Sequence, residues 1–79
     1  MKKRKTIFIN HEWMYALTQG ADGRLYIEVM VGGFAMERYI IPLTEDEQQR
    51  YSDEGKDFLH RFAINISKDP QQFANRRIL

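Results

Sequence analysis

Residues 25–41, LYIEVMVGGFAMERYII, decide the fold. Leu25, Ile27, Val29 and Val31 alternate with Tyr26, Glu28 and Met30, the period of a strand with one buried face. Gly32-Gly33 follows, a dipeptide that reaches positive φ easily and therefore suits a tight hairpin turn. Phe34 to Ile41 returns as a second strand, and Pro42 stops it because proline cannot donate to a ladder. Working back, Trp13, Tyr15 and Leu17 alternate with Met14, Ala16 and Thr18, and the cluster Gly20, Asp22, Gly23 marks a turn before Leu25. Ile7 to Ile9 is a short β-branched and aromatic run. The first half is thus expected to be an antiparallel meander over residues 7–42, with three strands, or four if Ile7–Ile9 joins. Residues 1–6 are basic and expected to be a flexible tail.

Working forward, the period changes. Thr44 with Glu47 three residues later is a capping box, and Glu45, Asp46 and Glu47 suit the positive end of a helix dipole. Tyr51, Phe58, Leu59, Phe62, Ala63 and Ile66 fall on one helical stripe, with Gly55 in the gap of one turn. One long helix over 44–68 is expected, with Gly55 facing the sheet where a side chain would not fit, or marking a kink. Asp69-Pro70 ends it, because a residue before proline is driven out of the α region. The same pair starts a short final turn in which Phe73 packs inward, within a tail over 70–79. The fold class is α+β, and the expected core is Leu25, Ile27, Val29, Tyr51, Phe58, Leu59, Phe62 and Ile66.

This plan has more apolar surface than cover. One helix buries one sheet face, and a solvent-facing sheet side should be mostly polar. Here the second side carries Tyr26 and Met30, with Met14 beside them. A two-residue turn at Gly32-Gly33 would oppose Glu28 and Glu37, like charges that destabilise. A three-residue loop would oppose Glu28 and Arg38 but turn Glu37 toward the core. In either register Met14, Tyr26 and Met30 remain as candidates for self-association, and a homodimer is expected unless Ile7–Ile9 or the tail folds over them.

Length and composition bound the function. Seventy-nine residues make one small domain. A chain of that size buries only about 60% of its unfolded surface, so its core is marginal. Cysteine is absent, which excludes disulfides, thiolate metal sites and a cysteine nucleophile. Hydrophobic residues at 43% exclude a disordered chain. Lys2 to Lys5 resemble the start of a signal peptide, but Asn10, His11 and Glu12 interrupt the apolar run behind them, so a cytoplasmic protein without membrane attachment is expected. Asn65-Ile66-Ser67 is a glycosylation sequon inside the expected helix and is read as chance.

Catalytic patterns are missing. His11-Glu12 lacks a second histidine four residues on, and no Gly-x-Ser-x-Gly, Walker loop or dinucleotide fingerprint occurs. His60, with Asp53, Lys56 and Asp57 before it, has the outline of an oriented base, but a solvated helix face has the same outline. No catalytic residue, metal ligand or cofactor is therefore assigned.

Charge is segregated although the net charge is only +1. Residues 45–57 hold six acids against Arg50 and Lys56, and an acidic helix face suits a basic partner. Glu45, Glu47, Asp53, Glu54 and Asp57 are the candidate contacts. Asp53 and Asp57 share a face one turn apart and are the pair expected to act together, and Tyr26 and Tyr39 are candidate aromatic anchors. The alternative is a nucleic-acid binder that uses Lys2, Lys3, Arg4 and Lys5 with Arg76 and Arg77.

From Leu43 onward, Leu43-Thr44-x-Asp46-Glu47, Tyr51, Glu54-Gly55, Phe58-Leu59, Phe62-Ala63, Ile66, Pro70, Phe73 and Arg77-Ile78 resemble the carboxyl halves of small bacterial toxin-immunity proteins. The resemblance covers fewer than 40 of the 79 residues. It implies a compact noncatalytic inhibitor that sequesters a protein partner, in that family a toxin.

Overall fold

The computed structural model describes residues 4–32 and 37–78. Four antiparallel strands run in sequence order: β1 (Lys5–Asn10), β2 (Tyr15–Gln19), β3 (Leu25–Val31) and β4 (Glu37–Pro42). Two helices, α1 (Glu45–Glu54) and α2 (Lys56–Lys68), and a short 3-10 turn (Pro70–Phe73) follow. The α+β class and the meander are as expected from the alternation. Ile7–Ile9 joins as the edge strand instead of folding over a face, and the strand begins at Lys5, within the segment read as a basic tail.

The core lies between one sheet face and α2. Tyr15 and Leu17 from β2, Ile27, Val29 and Val31 from β3, and Tyr39 and Ile41 from β4 meet Phe58, Leu59, Phe62, Ala63 and Ile66. Every α2 member of this set belongs to the helical stripe read from the sequence. Leu25 and Tyr51 are half-buried at its margin rather than inside it.

Register follows neither hairpin expected at Gly32-Gly33. Glu28 faces Ile40, Met30 faces Arg38, and Val31 faces Glu37, the last pair before a five-residue connection. Phe34, Ala35 and Met36, expected to open the returning strand, lie outside the described residues. This register keeps Tyr39 and Ile41 with the core and places Arg38 and Ile40 on the other face. Both glutamate conflicts are thereby avoided, since Glu37 at the strand end is exposed and Glu28 opposes an isoleucine.

The single long helix is divided at Gly55. Its φ of 69° is positive, and combined with an extended ψ it lies near a region open essentially to glycine alone. A Cβ there would meet nothing within 4 Å, so the residue serves backbone conformation and not close packing against the sheet. Its N–H donates to the Tyr51 carbonyl at 2.7 Å, closing α1. Gly55→Ala is expected to cost at least about 1 kcal/mol, read as a lower midpoint in urea with an unchanged slope. An equal midpoint would show that the break tolerates a side chain.

α1 fully buries no residue, so beside Tyr51 at the core margin polar ties hold it in place. The Thr44–Glu47 capping box is formed in both directions. Arg76 reaches back 29 residues and donates from both terminal guanidinium nitrogens to Glu47, at 2.6 and 3.0 Å, and from one of them to the Pro42 carbonyl. The C-terminal residues then close the free edge of β4. The Ile78 N–H donates to the Ile40 carbonyl at 2.7 Å, and Arg77 donates to the Arg38 carbonyl while lying 3.8 Å over the Tyr39 ring. An edge strand left bare invites pairing with another chain, and here the protein's own tail occupies it.

Candidate functional site

Among the described residues, the exposed large apolar side chains other than Ile78, which lies in the tail beside β4, belong to β1 and to the β1–β2 turn, residues 11–14. Ile9 and Trp13 are each 51% exposed, Ile7 is 45% and Met14 is 44%. Large apolar residues exposed together, unlike single ones, mark contact surfaces. The turn is built by Asn10, whose Oδ1 accepts the Trp13 N–H three residues on at 2.9 Å, a local side-chain-to-backbone bond of the kind that favours turns. Met14 then takes φ +57°, and among the described residues it is the one non-glycine with positive φ. Its carbonyl accepts the Met30 N–H at 3.0 Å, which locks the conformation. A left-handed conformation costs an L-residue roughly 1–2 kcal/mol, and such strain gathers at working sites.

Two adjacent side chains therefore serve opposite sides of the sheet end. Trp13 turns to the helix layer, edge-on to His60 with ring centroids 5.2 Å apart, and helps line a groove with Ala63, Ile64 and Lys68. Met14 turns to the helix-free face and lines a groove of about 240 Å³ with Ile9, Ala16 and Met30. Behind Trp13 an aromatic file continues through His60, Tyr15 and Phe8, with Lys56 Nζ 4.3 Å over the Phe8 ring. Burial raises the Tyr15 phenol above its ordinary pKa, offset in part by a hydrogen bond to Asn10. His60 thus meets rings, not the carboxylates that the sequence places near it.

The rest of the helix-free face is closed by polar contacts. Glu28 Oε2 accepts from Arg4 Nε at 3.2 Å and from the buried Thr18 hydroxyl at 3.0 Å. Arg4 also lies 5.5 Å from the Tyr26 ring, so Tyr26 is half-buried, while Met14 and Met30 line the open groove. Of Met14, Tyr26 and Met30, the residues expected for self-association, the two methionines line the open groove and Tyr26 lies against Arg4.

The acidic candidates separate. Glu47 is spent on the capping box and Arg76. Burial alone would raise its carboxyl pKa, but the Arg76 and Thr44 hydrogen bonds outweigh that and hold it below the ordinary value. Glu54 pairs with Arg61, and Asp46 with Arg50. Glu45, Asp53 and Asp57 remain exposed, with Asp53 accepting from the neutral Gln49 amide. The break at Gly55 removes the continuous helix that set Asp53 and Asp57 one turn apart. Tyr39 is only 8% exposed beneath Arg77 and is no exposed anchor.

The basic candidates are largely engaged within the protein. Arg4 holds Glu28, Arg76 holds Glu47, and Arg77 holds Tyr39, Glu37 and the β4 edge. Lys5 is exposed, and Lys2 and Lys3 lie outside the described residues. Among the described residues no group of three or more His, Asp or Glu side chains could hold a metal ion, and no helix is long and apolar enough to cross a membrane.

Sequence reading placed Trp13 and Met14 in a strand and so missed the turn. The signal was the polar trio Asn10-His11-Glu12 between two apolar runs, with Asn10 a residue type that favours turns. Comparison of the chain with protein-family models, curated proteins and solved structures finds no match.

Proposed function

We propose that this protein is a noncatalytic protein-binding domain that contacts its partner through the 11–14 turn. One observation carries the reading: a backbone-strained turn next to the exposed Ile9 holds Trp13 and Met14 outward. Tryptophan is among the most frequent anchors in such contacts, since it buries a large area with little entropy to lose. The exposed acids Glu45, Asp53 and Asp57 add steering toward a basic region of the partner. This is the behaviour of an immunity-type inhibitor, which works by occupying a surface and not by chemistry.

The test is affinity capture from the native host with the wild type and a Trp13→Ala/Met14→Asn variant. Asparagine keeps the left-handed preference at position 14 while removing the apolar side chain. A partner retained by the wild type should bind at least about tenfold more weakly to the variant, with the circular dichroism spectrum preserved. Undiminished capture by the folded variant would overturn the assignment of the turn.

A further inference from the structure

The groove on the helix-free face has a definite chemistry. Ile9, Met14, Ala16 and Met30 give it an apolar lining, and two charged residues, Glu28 and Arg38, also line it. Glu28 is already neutralised by Arg4 and hydrogen-bonded by Thr18. Arg38, directly opposite Met30, is exposed, and among the described residues no acidic side chain pairs with it. Its neighbour Arg77 donates to the Arg38 carbonyl. An apolar lining thus stands beside one cation that no described acidic side chain pairs. The groove encloses about 240 Å³. Small-molecule sites usually begin at roughly 300 Å³, so this volume suits one or two side chains of a docked segment.

We propose that this groove takes an apolar segment of a protein partner that carries a carboxylate side chain, with the carboxylate set against Arg38. The proposal rests on the protein-binding reading above and names the chemistry of the segment bound. Arginine suits this role because its planar fork meets a carboxylate with two parallel hydrogen bonds. The acids of α1 belong to the helix layer on the other side of the sheet, so the two surfaces favour opposite charges on opposite sides of the domain.

The experiment uses the full chain with ¹³C-methyl methionine and three probes: acetyl-Leu-Glu-Leu-amide and its Gln and Lys counterparts. The Met14 and Met30 methyl signals are expected to move with the Glu peptide. Its apparent Kd should be about fivefold lower than that of the Gln peptide, the scale of one partly exposed ion pair. The Lys peptide should bind most weakly, and Arg38→Gln, an exposed substitution, should abolish the difference between Glu and Gln. Equal affinities in the wild type, or a preference that survives Arg38→Gln, would overturn the role of Arg38. Methyl signals unmoved by any peptide would overturn the groove as a docking site. Signals that move with protein concentration alone would assign the groove to a second copy and overturn the proposal likewise. Partner capture by a Trp13→Ala single variant, which leaves the groove lining of Met14 and Met30 intact, is read independently, so the two readings fail separately.

Discussion

Phe62→Ala is expected to unfold most of the protein at room temperature. Phe62 is 6% exposed and lies at the centre of the aromatic packing between the helices and the tail. Its ring centroid stands 5.5 Å from Phe58 and 5.8 Å from Phe73, and the Arg76 guanidinium lies 5.9 Å from it. Truncation of a buried Phe costs about 3–5 kcal/mol, from lost transfer energy and the cavity left behind. A core of this size rarely supplies more than about 3–5 kcal/mol in total, so the loss is comparable to the whole stability. Circular dichroism in a urea titration should show a wild-type transition and, for the variant, little or no folded baseline. A variant with the wild-type midpoint would show that Phe62 is not part of the core.

Arg76→Ala is expected to cost about 2 kcal/mol, the scale of losing charge-assisted hydrogen bonds from a partly buried pair, and to change how stability depends on pH. Its partner Glu47 has a side chain 18% exposed and Arg76 one 32% exposed. The pair lies between surface bridges worth at most about 1 kcal/mol and buried ones whose rupture costs about 3–5 kcal/mol. Removal of Arg76 also frees the Pro42 carbonyl and uncovers Phe62 and Phe73. In the wild type the Glu47 pKa is lower folded than unfolded. Its contribution is therefore full above the unfolded value, about 4.3, and is lost as pH falls through the folded value. Without Arg76, burial acts unopposed except for the Thr44 contacts, so the acid-induced loss should begin at higher pH. Glu47→Gln separates the effects, since an amide oxygen can still cap Thr44 while the charge is gone. Parallel stability curves for wild type and Arg76→Ala between pH 3 and 7 would refute the clamp.

Periodicity made the sheet and the core face of α2 readable, because Leu25 to Val31 and Phe58 to Ile66 each follow one unbroken pattern. The break at Gly55 was not readable in that way. A glycine in a gap of the stripe fits close packing and positive φ equally well, and only the backbone angle distinguishes them. The hairpin register was hidden because Gly32-Gly33 suits a short turn, whereas the observed pairing of Val31 with Glu37 leaves five residues between the strands. Of the candidate site, the surplus of apolar surface was legible, and so was the place of Met14 and Met30 on it. The roles of Arg76 and Arg77 were not, since a pair separated by 29 residues leaves no local trace. Both read as part of a basic surface when each is a fastener of the fold.

The chain contains a single tryptophan, and that residue is Trp13. The intrinsic fluorescence of the native protein is therefore dominated by the candidate contact turn itself. A half-exposed indole should emit at long wavelength even when folded, so unfolding will shift the spectrum little. Partner binding, by drying the indole, should move it to the blue and raise its yield. A change of spectrum would thus report occupancy of the turn without any label.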